Sequence, residues 1–127
     1  MKQLLFAALF FLLVSSALYA QRIFPVKYES QADVKIFVAD YESEADLSVF
    51  KVDYESQAGK NDGRWFFTDY ESQADKTIFF VKYKSQADVV IFYVKYESQA
   101  GWRTEDKKHF FEGEDASRPS PKDTPQT

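Results

Sequence analysis

The sequence predicts an all-β domain of short strands in a repeat array, and three observations carry that expectation. A hexapeptide, YESQAD or a close variant, recurs six times. Each copy follows a run of β-branched and aromatic residues, the composition of strands and not of helices. No cysteine is present, so disulfides and thiolate metal sites are excluded and the fold must rest on packing and backbone pairing.

The chain opens with Lys2, an unbroken apolar run from Leu4 to Val14, and the small residues Ser15, Ser16, Ala17 and Ala20. This is the composition of a Sec signal peptide. Residues 1–20 are expected to form a signal-peptide helix, cut after Ala17 or after Ala20, and to send the chain to the periplasm or the cell exterior. An uncleaved anchor is the alternative, although the apolar run is short of the ~20 residues a span needs. Membrane contact is expected only through that uncleaved segment.

Residues 21–111 form the repeat domain. Tyr28, Tyr41, Tyr54, Tyr70, Tyr83 and Tyr96 each open one hexapeptide, at spacings of 13, 13, 16, 13 and 13. The sixth position reads Asp33, Asp46, Gly59, then Asp75, Asp88, Gly101, so two pseudo-symmetric halves repeat at an offset of 42 residues. Four residues before each tyrosine stands Phe, five before stands a bulky apolar residue, two before stands mostly Val. Side chains alternate along a strand, so Phe, Val and Tyr share one face. Six strands of five to seven residues follow.

The hexapeptide must turn the chain. Its Ser-x-x-acid spacing resembles a capping box, with serine and aspartate satisfying loose backbone donors in a single turn. Gly59 and Gly101 mark backbone conformations that a Cβ disfavours. Asn61-Asp62-Gly63 reads as a tight turn and accounts for the longer central spacing. His109-Phe110-Phe111 echoes Trp65-Phe66-Phe67 and is expected to form a seventh strand. Residues 112–127 are polar, carry three prolines and are expected to be a disordered tail.

The recurring Y-[EK]-S-[QE]-A-D unit, its Phe-and-Val strands, and the closing Ala100-Gly101-Trp102-Arg103 and Lys107-Lys108-His109-Phe110-Phe111 resemble the bacterial septoil-knot domain, a small family of unknown function. The resemblance spans Ile23 to Phe111. It implies short strands wound into a seven-crossing torus knot, an arrangement that periodicity alone does not show. It brings no catalytic residue and no ligand. Pro25 departs from the strand pattern and suits an edge position.

The remaining residues weigh against chemistry. The net charge is −4 and no basic stripe exists, which argues against nucleic acid. A Ser-His-acid triad would depend on His109, the one histidine. Asp33, Asp46, Asp75 and Asp88 are equivalent by repeat, which points to four copies of a structural role, not to a catalytic pair or a calcium site. No catalytic, cofactor-binding or metal-ligating residue is assigned, and no cofactor is expected. The position three before each tyrosine varies most. There Phe67, Phe80 and Tyr93 are candidates for a recognition surface, exposed as a patch or buried by the other half. The expected role is a non-enzymatic structural or interaction module, with a glycan- or envelope-ligand-binding module as the alternative and a protein or a glycan as partner.

Overall fold

The computed structural model describes residues 21–112. The expected leader helix, and the expected tail apart from Glu112, lie outside the described residues. The strands are β1 (Arg22–Pro25), β2 (Val34–Val38), β3 (Leu47–Lys51), β4 (Arg64–Phe67), β5 (Lys76–Phe80), β6 (Val89–Tyr93) and β7 (Gly101–Trp102). Short 3-10 turns join them, and no α-helix occurs among the described residues.

The expected array of successive strands is overturned. β1 to β6 close into one parallel barrel in the order β4-β1-β5-β2-β6-β3, with β3 pairing β4 to complete the circuit. The physical reason for closure is that each strand has one apolar face to bury, while its other face mixes phenylalanine with residues such as Arg22, Lys35, Ser48, Arg64 and Thr77. Ile23, Ile36, Val49, Trp65, Ile78 and Ile91, five before each tyrosine, fill the interior at 0 % exposure. The six phenylalanines one residue later point outward and are half-buried. An open array would also leave two unpaired edges, which closure removes.

Consecutive strands are not neighbours. The chain leaves β1, passes over β5 and enters β2; it leaves β2, passes over β6 and enters β3. A third step of that size would put the next strand on top of β1. The junction between halves breaks the parity, because β3 and β4 are adjacent. This is the one place where the tyrosine spacing is 16 and not 13. The second lap therefore threads between the strands of the first.

Each strand is offset from the next by two residues, as in Ile23 opposite Lys76, Val34 opposite Ile78 and Ile36 opposite Val89. An even offset keeps every inward residue inward. So large a stagger around only six strands tilts them steeply. Residues 39–46 thus suffice to link β2 to β3, where parallel crossovers usually need about a dozen residues or more.

The corners differ from the expected capping box. Each is a single 3-10 turn, as at Glu29–Gln31, and the serine does not cap it. The aspartate reaches across to another strand instead. Asp33, Asp46, Asp75 and Asp88 accept hydrogen bonds from the backbone N–H of Thr77, Val90, Arg22 and Lys35 at 2.9–3.0 Å. Their own N–H groups donate to the carbonyls of the same four residues. At the third corner Asp62 takes over: its Oδ1 accepts from the Arg64 N–H at 3.2 Å. A Cβ on Gly59 would meet that carboxylate, so glycine is required there by close approach. Gly101, at φ 148°, and Gly63, at φ 87°, are the positions that need positive φ.

Two further expectations fail. Lys108–Phe111 is a 3-10 turn and not a seventh strand; the seventh strand is Gly101–Trp102, antiparallel to β3. Pro25 is not on an edge, because β1 pairs on both sides. Its missing N–H is tolerated because position 25 faces β4, whose ladder with β1 ends at Ile23.

Candidate functional site

A constant stagger places equivalent residues of the six units at one height, so each position of the repeat becomes a ring. The ring three before the tyrosines lies at the C-terminal ends of the strands. Around the barrel it reads Phe67, Pro25, Phe80, Val38, Tyr93, Lys51. The second lap supplies the aromatics and the first lap the residues between them. Phe67, Phe80 and Tyr93 thus alternate with first-lap residues around a shared mouth.

Their environments differ. Phe80 is 39 % exposed, whereas Phe67 and Tyr93 are half-buried and pack on the barrel core. Burial pushes the Tyr93 phenol up to about 12. The Lys51 ammonium stands 4.3 Å from the Tyr93 ring centroid and 5.4 Å from that of Phe67, a cation–π clamp across the mouth. Sequence reasoning placed Lys51 in the variable ring but did not pair it with the aromatics, since its neighbours come from the other lap.

The opposite end is closed. Phe111 is buried 5.2 Å from the Trp65 ring and 6.0 Å from the Trp102 ring. Asn61 ties this cap together: its Oδ1 accepts from Trp102 Nε1 at 3.0 Å and Gln21 Nε2 at 3.1 Å, and its Nδ2 donates to the Lys108 carbonyl. His109 is exposed and lies 4.3 Å from the Phe110 ring.

The outer flank carries the six repeat tyrosines, all 64–68 % exposed, each just ahead of its 3-10 turn. Two equivalent arginines, 42 residues apart, clasp the barrel wall. Arg22 binds Asp75 and Glu55, each at 3.0 Å; Arg64 binds Asp62 and, at 3.1 Å, Glu97. The hydrogen bond that Arg22 donates to Asp75, and the one that Arg64 donates to Asp62, raise both guanidinium groups above their ordinary value. The 42-residue offset already linked Arg22 to Arg64 and Glu55 to Glu97; only the fold adds Asp62, which replaces the missing sixth-position carboxylate. A shallow depression of ≈ 240 Å³ beside this second clasp is lined by Asp62, Arg64, Glu97 and Ala100.

Among the described residues, no three His, Cys, Asp or Glu side chains gather as metal ligands would. What the arrangement offers is a closed wall with a mouth lined by Phe67, Phe80, Tyr93 and Lys51.

A family model described as the 7(1) septoil knot domain matches residues 20–103. Its description agrees with two interlaced laps, each running inward along the strands and outward through the corners. No curated protein and no solved structure matches the chain.

Proposed function

The chain belongs to the septoil knot domain family, whose function is unknown, and from that premise we propose that it is an exported, non-enzymatic interaction module. The observation that supports this reading is the closed, double-wound barrel. Each of β1 to β6 is paired on both sides, so the barrel wall offers no edge for strand addition, β7 being a two-residue edge, and recognition falls to side chains. Interlaced laps cannot peel apart one strand at a time, which favours slow unfolding outside the cell where no disulfide helps. The apolar run at Leu4–Val14 supports export to the periplasm or beyond.

Limited proteolysis of the purified chain tests this reading. The core from Ile23 to Phe111 resists digestion while the termini are trimmed; rapid cleavage inside the core overturns it.

A second reading is favoured by the mouth. Phe80 presents exposed aromatic surface to the C–H face of a sugar ring, the half-buried Phe67 and Tyr93 line the same mouth, and Lys51 is set to meet an anionic substituent. Pull-down on peptidoglycan and on acidic polysaccharides tests it. Retention that is lost in Phe80→Ala supports glycan binding, and no retention on either removes it.

A further inference from the structure

All six ladders of the barrel wall join the two laps. β1 pairs with β4 and β5, β2 with β5 and β6, and β3 with β6 and β4. Among the described residues no strand of the first lap pairs with another first-lap strand, and none of β4, β5 and β6 pairs within the second. The aspartate bonds obey the same rule, since Asp33 and Asp46 hold second-lap strands and Asp75 and Asp88 hold first-lap strands. Half a barrel therefore has no backbone pairing of its own. It is a three-strand frame with three gaps, complete only when another lap of this repeat fills them.

We propose that this interface also accepts the second lap of another copy of the chain, so that two chains folding together exchange laps and form a swapped dimer of two complete barrels. This goes beyond the reading above and does not depend on it. A ladder residue cannot distinguish a lap from its own chain from an identical lap of a neighbour. The only preference for its own is the high effective concentration set by the junction through residues 60–63. That junction follows the Gly59 corner and includes Gly63 at φ 87°. It is the segment that opens in the exchange, as hinge loops do in swapped proteins. Because the laps interlock, the choice is made during folding and then retained.

The test is refolding of the full chain from denaturant at rising concentration, followed by light-scattering mass. Intramolecular closure is first order and exchange is second order, so each tenfold rise in chain concentration should raise the dimer-to-monomer ratio about tenfold. Tagged and untagged chains should form mixed dimers when refolded together but not when mixed after folding. A second measurement uses Ile36→Asp, which spoils the first lap, and Ile78→Asp, which spoils the second; both side chains are fully buried in the barrel. Refolded together they should yield one sound barrel, made of the first lap of the Ile78→Asp chain and the second lap of the Ile36→Asp chain, whose protease-resistant core neither variant gives alone. Monomer alone at every wild-type concentration overturns the proposal, as do mixed dimers formed from already folded chains. Should either aspartate variant fold by itself, the wild-type series decides.

Discussion

At the N-terminal ends of the strands, Phe111 packs against both Trp65 and Trp102, Asn61 ties the cap together, and four aspartates hold neighbouring backbones. At the C-terminal ends, no plug of this kind covers the ring of Phe67, Phe80, Tyr93 and Lys51 among the described residues, and Phe80 is exposed. The same repeat builds both ends. They differ because Trp102 and the turn at Lys108–Phe111 lie beyond the sixth strand and are spent on one side only. The sealed end is built to hold the barrel, and the open end is free to vary. This matches the pattern in which the sixth position is only ever Asp or Gly while the mouth position reads Pro, Val, Lys, Phe, Phe and Tyr.

The comparison breaks most readily at its strong end. Trp65→Ala should lower stability by ~3–5 kcal/mol, because it empties the barrel beside the plug, and Phe111→Ala should follow in the same range. Urea midpoints with unchanged slopes check both. If Phe111→Ala proves as mild as a surface change, the plug is not sealing the barrel. Asp46→Ala should be smaller, ~1–3 kcal/mol, since it leaves the Val90 N–H without its carboxylate at 2.9 Å.

The open end should respond to pH and to ligands more than to truncation. The Tyr93 phenol is raised to about 12 when folded. The folded state thus holds that proton more tightly than the unfolded chain, whose phenol titrates near ~10. The associated stability is complete below about pH 10 and is lost as pH rises through about 12. Tyr93→Phe should flatten the alkaline end of the stability profile and remove a late-titrating phenolate from the ultraviolet spectrum; an unaltered profile counts against the buried assignment. Lys51→Ala should cost ~0.5–1 kcal/mol, the worth of an exposed cation–π contact. Phe80→Ala should change stability least, within about 0.5 kcal/mol, and a large loss there would mean that the mouth is as structural as the cap.

Much of this was legible before any fold was known. Six tyrosines in fixed register marked the corners, β-branched and aromatic runs marked the strands, and the 42-residue offset marked the halves. The equivalence of Asp33, Asp46, Asp75 and Asp88 indicated one shared role, and in the structure each accepts from a backbone N–H of another strand. Its nature was illegible, because each carboxylate acts on a strand 44 or 53 positions away and no local pattern encodes such a distance. The turn at Lys108–Phe111 was misread as a strand because its two phenylalanines matched the repeat, while Phe111 is buried against Trp65 and Trp102.

Sequence alone determined the repeating unit, the β character and the parity of each residue, since alternation and turn chemistry act over a few neighbouring positions. Tertiary structure decided which parity faces inward, that the laps interleave, and that Phe67, Phe80 and Tyr93 converge with Lys51 on one mouth. Those outcomes follow from closing six staggered strands into a ring, where a step of two strands must once become a step of one. The 16-residue spacing recorded that step, but its meaning appears only when the ring is closed.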